Sequence, residues 1–302
     1  MKTIRPYRRA PAPRILAAAL ALAFSQAWPA WALPEGNTTA HGVVEVGRPD
    51  ASRMVIRQAS DKAIVNWQGF SIGAGEQVRI EQPGAGSAIL NRVTGASRSE
   101  IQGRLDANGK VFLINRNGVV FGEAAAVNVG SLVASTLDID NDDFVADRLR
   151  FRALEGPAAV ENAGSINVAE RGTVALMGGR VANNGTIRAQ LGTVAMAAGE
   201  EMTLDLAGDG LSRLTVTRAT LEALVDNGGA VIADGGQVLL SARALAEVSS
   251  RVVNQTGVVR ARGLSERGGR IVLDGGDSGV TEVSGVLDAS APQAGGRGGE
   301  VQ

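Results

Sequence analysis

The stretches VENAGSINV (Val160–Val168) and VANNGTIRA (Val181–Ala189) are two versions of one unit, 21 residues apart from Asn162 to Asn183. The unit returns more loosely as VDNGGAVIA (Val225–Ala233) and VVNQTGVVRA (Val252–Ala261). Asn183 to Asn227 is 44 residues, about two periods. Between these echoes lie GTVALMGGR (Gly172–Arg180), GTVAMAAGE (Gly192–Glu200), GGQVLLSAR (Gly235–Arg243) and GGRIVLDGG (Gly268–Gly276). Fixed periods of about 20–50 residues mark solenoids and arrays. Apolar alternations such as Thr186-Ile187-Arg188 are too short for helices and are closed by Gly or Asn, as strands are. Three short strands per repeat predict an all-β chain folded as a right-handed parallel β-helix, with coils stacked at about 4.8 Å. Val, Ile and Leu would form inward ladders, and stacked Asn side chains can bond from coil to coil. Gly and Asn at the turns are expected to supply left-handed backbone. A propeller is the alternative, but its blades need repeats of about 40 residues or more.

Aromatic residues divide the chain. Trp67, Phe70, Phe112, Phe121, Phe144 and Phe151 precede Arg152, and no Phe, Trp or Tyr comes after it. The open ends of a solenoid invite edge pairing, so its terminal repeats act as caps. The aromatic-rich region is therefore the expected N-terminal cap. The boundary is placed at EGPAAV (Glu155–Val160), giving segments 33–155 and 156–302. Some 270 residues after residue 32 predict roughly 12 coils and a rod on the order of 60 Å. GGEV near the C-terminus reads as the start of another coil, so a longer parent rod is expected.

At the amino end, the basic MKTIRPYRR leads into the apolar ILAAALALAF (Ile15–Phe24) and then AWPAWA. A basic start, an apolar run of about 10 residues and small residues at −3 and −1 define a secretory signal peptide. Ala30 and Ala32 fit those two positions, so residues 1–32 are expected to be removed ahead of Leu33. The apolar run is short of the roughly 20 residues that a membrane span needs. No permanent membrane span is therefore expected. Removing residues 1–32 takes away five Lys/Arg and no acid, which leaves 25 basic against 31 acidic residues and a net charge near −6. That balance argues against nucleic acid, whose phosphates attract a basic stripe. With no Cys and a single His, His41, the chain has too few soft ligands for common Zn, Fe or Cu sites, and no cofactor is expected. His41 lies in GNTTAHGVVEVG and reads as a surface or strand-edge residue.

One segment, Ala63–Ile139, carries a specific resemblance. NWQGFSIG (Asn66–Gly73), LNRVTG (Leu90–Gly95), G-x-L-x-A-N-G-x-V-F-L-I-N (Gly103–Asn115), NGVVFG (Asn117–Gly122) and ASTLDI (Ala134–Ile139) occur in order. Together they resemble the N-terminal secretion domain of two-partner secretion exoproteins, the filamentous haemagglutinin family, over about Leu33–Arg152. The resemblance implies a chain that enters the periplasm by general export. A dedicated outer-membrane β-barrel transporter then recognises it through periplasmic POTRA domains. It also implies folding at the cell surface as a secreted or surface adhesin-like protein, with a host-surface or glycan receptor as a further partner. The family's Asn-Pro-Asn-Gly-Ile motif reads here Asn115-Arg116-Asn117-Gly118-Val119. Arg116 replaces a proline that would fix φ. Asn115, Asn117 and Gly118 are open to two roles, a turn needed for folding or direct contact with the transporter. Asn91 and Arg92 of NRVTG are open to the same two, as a turn with Arg92 exposed.

Other signals are weaker. LDIDNDDF (Leu137–Phe144) alternates acids but lacks the Gly and Glu that an EF-hand requires, so a solvated acidic loop is expected. The alternative function is a β-helical polysaccharide lyase or hydrolase. It would need carboxylates converging in a groove on one face of the rod. No compact acidic cluster with a basic partner is visible in the linear sequence, and no catalytic residue is assigned.

Overall fold

The computed structural model describes residues 32–302 except 155, 157, 207–210, 246–250, 265–266, 278 and 293–295. Of the expected signal segment, residues 1–31, Ala30 among them, lie outside the described residues. The rest is a parallel β-helix with three faces. The first face is a ten-stranded sheet running from Thr38–His41 and Lys62–Trp67 to Arg270–Asp274 and Glu300–Val301. The second also has ten strands, from Val44–Asp50 to Val286–Asp288. The third has seven, from Ser99–Ile101 to Val280–Val283. Among the described residues, no helix is long and apolar enough to cross a membrane.

The repeat unit sets the register. Val119, Val160, Val181, Val225 and Val253 pair in one column of the third face. Ile166, Ile187, Val231, Val259 and Leu287 do so in the second. These columns belong to one core running from Leu33 to Ile271. Beside the valine column, the third face turns a polar ladder inward. Asn162 Nδ2 donates to Asn183 Oδ1 at 2.7 Å, and Asn183 Nδ2 to Asn227 Oδ1 at 2.7 Å. Asn227 Nδ2 then donates to Gln255 Oε1 at 2.6 Å. All four side chains are buried, so the ladder keeps amides satisfied inside an apolar rod.

The repeat glycines work differently from the expectation of left-handed turns. Gly122, Gly164, Gly185, Gly229, Gly257 and Gly285 form one column, and Gly109, Gly130, Gly172, Gly192 and Gly236 another. None of them has positive φ. A Cβ on each upper member would lie less than 3.0 Å from the carbonyl oxygen of the glycine one coil below. Those carbonyls accept hydrogen bonds from the next coil, as Gly164 O does from Thr186 N and Gly185 O from Ala230 N, both at 2.9 Å. Glycine is required there for close backbone approach. Left-handed backbone occurs elsewhere, at Gly118, at Gly235 and Gly276 of the repeats as expected, and, without glycine, at Asp147, Arg171 and Leu191.

Two excursions interrupt the coils and make the stack shorter than a dozen. One leaves after Ser131–Ser135 and the other after Thr193–Ala198. They contribute Asp138–Ile139, Leu149–Arg152, Glu201–Asp205 and Arg213–Arg218 to a four-stranded antiparallel sheet. This side sheet lies over the outer surface of the first face. It brings Ile139, Phe144, Leu149, Phe151, Met202, Leu204 and Val216 into a second core with Ile64, Leu90, Phe112, Ile114, Val133 and Met177. Phe112 and Phe144 meet edge to face at 5.1 Å. The aromatics therefore serve two places. Trp67 and Phe70, 5.5 Å apart, fill the first coil, whereas Phe112, Phe144 and Phe151 fill the space under the side sheet. The cap itself is backbone: Thr38–His41 and Val44–Asp50 pair antiparallel with Lys62–Trp67 and Arg53–Gln58, the opening strands of the first two faces. His41 is exposed on the edge strand.

Close approach has a measurable cost. Gly185→Ala should lower stability by about 1–3 kcal/mol in urea unfolding, because backbone must shift to admit the methyl. Gly84→Ala, with nothing within 4 Å of its added carbon, should change stability by less than about 0.5 kcal/mol. Equal effects would refute the packing argument.

Candidate functional site

Asn115 to Gly118 forms a tight turn at the corner between strands Lys110–Ile114 and Val119–Phe121. Gly118 N donates to Asn115 O at 3.0 Å, and Gly118 sits at φ 118°, a conformation that side chains rarely adopt. Asn115 is buried. Its Nδ2 donates to Ser97 O and Ser99 Oγ, both at 3.0 Å, and its Oδ1 accepts from Asn117 N at 2.9 Å. Asn117 Nδ2 reaches back to Gly95 O at 2.8 Å. The two asparagines thus bolt this corner to the loop of the preceding coil. Arg116 points outward and is exposed, beside a small cleft lined by Thr136, Leu137, Ala153, Glu200 and Thr220.

Asn91 and Arg92 belong to strand Ala88–Val93 rather than to a turn. Alternation puts them on opposite faces. Asn91 is buried inward, where its Oδ1 accepts from Trp67 Nε1 at 3.1 Å and its Nδ2 donates to Phe112 O at 3.3 Å. Arg92 faces the side sheet, and the expectation that it is exposed is not met: its side chain is 14% accessible. It holds Asp138 at 2.8 Å, Asn141 Oδ1 at 2.6 Å and the Ile139 carbonyl. Burial results because the excursion folds down over the strand, a contact that spans 46 residues and leaves no local trace.

The separate sequence motifs therefore meet in space. Trp67 of NWQGFSIG is tied to Asn91 of LNRVTG, Arg92 to ASTLDI, Asn117 to Gly95 at the end of LNRVTG and Asn115 to Ser97 just after it. Lys62 was not singled out in the sequence, yet it clamps the same excursion. Its ammonium donates to Phe144 O at 3.1 Å and Val145 O at 2.9 Å, and pairs with Asp147 at 2.6 Å. A cation at carbonyls that end a helix is favourably placed. The available signal was rarity, since Lys62 and Lys110 are the only lysines beyond the signal segment.

The acidic stretch forms a short helix, Asn141–Val145, rather than a solvated loop. Asp140 caps it by accepting from Asp142 N at 2.9 Å. An open groove of about 670 Å³ gathers Asp138, Asp140, Asp142 and Asp143 with Arg92, Arg150 and Arg152. Arginines engage two of these carboxylates, Asp138 through Arg92 and Asp143 through Arg148 and Arg150. Asp143 pairs with Arg148 at 2.8 Å and Arg150 at 2.9 Å. Its hydrogen bond from Arg148 holds the carboxyl below the usual carboxylate range, with Arg150 adding to the effect. A general acid needs the opposite shift. Among the described residues, no three His, Cys, Asp or Glu side chains gather as metal ligands.

At the expected processing site, Leu33 is buried in the first core. The Ala32 amide donates to Glu76, 3.0 Å from Oε1 and 3.2 Å from Oε2.

Comparison with known proteins places these features. The profile described as the TPS secretion domain matches residues 32–288. The crystal structure of the HMW1 secretion domain from Haemophilus influenzae superposes with a TM-score of 0.78 at 34% identity, over 86% of this chain and 68% of that one. Two Haemophilus influenzae proteins described as heme/hemopexin-binding protein are 31% identical over 261 and 254 residues. These alignments cover 80% and 81% of this chain but only 28% and 27% of the relatives, so the chain spans little more than a quarter of their length. With its β-helix and signature corner matched over nearly the whole described length, this chain belongs to the TPS secretion domain family.

Proposed function

We propose that residues 33–302 serve as the export address and folding base of a longer exoprotein, delivered to the surface by an outer-membrane β-barrel partner that reads it through POTRA domains. The observation that carries this reading is the family match from 32 to 288, within which the signature motifs are hydrogen-bonded to one another. Segment 33–155 would hold the partner-reading motifs and 156–302 would continue the rod. The expected boundary falls at undescribed residue 155, and both cores run across it. Haem capture, adhesion or any receptor contact belongs on this reading to chain beyond these residues. An axial haem ligand would have to come from His41 or Met here, since there is no Cys and the single Tyr is in the signal segment. The reading is of a non-enzymatic domain.

Within the signature, Asn91, Arg92, Asn115, Asn117 and Gly118 act by making the fold, and Arg116 is the member that a partner can touch. Arg92→Ala should lower stability by about 1–3 kcal/mol, because Asp138 and the Ile139 carbonyl lose their charged donor. It should also speed proteolysis within 137–152. Secretion should fall only as far as folding does. Full stability with lost secretion would make Arg92 a recognition residue instead.

Arg116→Pro should raise stability by about 0.5–1 kcal/mol by limiting the unfolded chain, with secretion kept or improved. Lost secretion at undiminished stability would assign the arginine to partner contact.

The export reading is tested by coexpression with a candidate outer-membrane barrel partner. The full chain should reach the medium only with that barrel, and deletion of 33–155 should abolish export. Export without the barrel would overturn the reading.

A further inference from the structure

Among the described residues, no cation is paired with the buried carboxyl group of Glu76. It is 5% accessible, and its oxygens take Gly73 N at 2.6 Å and the Ala32 amide at 3.0 and 3.2 Å. An ionised carboxylate in such a place is costly unless a cation offsets it. The element that reaches it is the start of the described chain, one residue ahead of the expected processing point. The residues just past that point are pinned. Leu33 is buried in the core, Pro34 O accepts from Arg48 at 2.8 Å, and Glu35 exchanges backbone bonds with Gln68 and Gly69.

We propose that Glu76 is a receptor for the primary ammonium that signal-peptide removal creates on Leu33. The inference rests on the reading that processing occurs between Ala32 and Leu33. In the chain that still carries residue 32, Glu76 holds a neutral amide. Hydrolysis of the Ala32–Leu33 bond frees the α-amine of Leu33, which takes a proton and becomes a cation with three donors. Successive residues are about 3.8 Å apart, so the ammonium starts within one residue's reach of the oxygens that the Ala32 amide vacates. A charge-assisted bond is shorter and about twice as strong as a neutral one. Processing then gives the buried carboxylate its missing partner and ties the chain end to the 73–76 turn. Arg48 stays occupied by the Pro34 carbonyl and does not compete. The signal peptide is gone before the domain folds outside, so every folded molecule carries the pair.

The test uses the exported full chain. Mass spectrometry of its N-terminal peptide establishes where it begins. Acetylation of the α-amine by an activated acetate ester is then timed on that peptide for folded wild type, folded Glu76→Gln and urea-unfolded chain. The expected result is a start at Leu33 and an amine at least about tenfold slower in folded wild type than in E76Q or the unfolded chain, equivalent to one unit of pKa. If E76Q does not fold, wild type refolded after acetylation of its α-amine alone, with Lys62 and Lys110 shown unmodified by mass spectrometry, should show an unfolding constant raised about tenfold. A chain beginning elsewhere overturns the processing reading and this site with it. A chain beginning at Leu33 whose amine reacts equally in wild type and E76Q overturns the site alone. So does an unchanged unfolding constant in the acetylated arm.

Discussion

Close approach of stacked corners is the constraint on which the rest of this rod depends. Parallel strands must sit about 4.8 Å apart to bond, and at two corners the chain turns so tightly that one glycine lies on the carbonyl of the next. With Gly164, Gly185, Gly229 and Gly257 in contact with no side chain between them, each coil has one register on its neighbour. A slip of one residue would put a side chain against a carbonyl and turn each strand's inward set outward. The register in turn makes Asn162, Asn183, Asn227 and Gln255 meet end to end. The polar ladder is thus a consequence of the glycine columns as much as a support for them.

The side sheet shows what the family signature does physically. A bare first face would expose Ile64, Leu90, Phe112 and Val133, and the excursions cover them. Cations fasten the cover at two places, Arg92 to Asp138 and Asn141, and Lys62 to the end of the short helix. Asn91 and Arg92 are adjacent, yet one anchors Trp67 inside the coil and the other anchors the cover outside it. A short motif can therefore link both cores, which explains why it reads as a recognition element in sequence while most of its atoms are spent internally.

Periodicity made the coils legible. The 21-residue echo between Asn162 and Asn183 states the register directly, because register in a solenoid is sequence spacing. The reason for the glycines was not legible, since left-handed turns and close approach demand the same residue. The side sheet was invisible for a different reason. Its strands pair antiparallel across long separations, such as Phe151 with Met202, and have no counterpart in other coils. Half-buried Arg92 and the helix at Asn141–Val145 depend on that sheet and were lost with it. Of the signature corner, the Asn-Gly turn was readable, but the inward direction of Asn115 was not, because turn asparagines bond local or distant backbone with equal ease.

The same topology orders assembly along the chain. The cap strands Thr38–His41 and Val44–Asp50 pair with partners no further along than Trp67, so the first coil can close with little chain. The second core cannot. Leu149–Arg152 completes its pairing only with Glu201–Asp205, and that strand only with Arg213–Arg218. Phe151 therefore gains its full cover only with Arg213–Arg218, about 80 residues past Ser135, where the excursion leaves the coil. Loop-closure entropy rises only slowly with such a separation, and coils stacked meanwhile from Ala159–Asn162 to Thr193–Ala198 hold the two excursions in line. Sequential coils thus supply the template, and the cover closes on it as a later, non-local step.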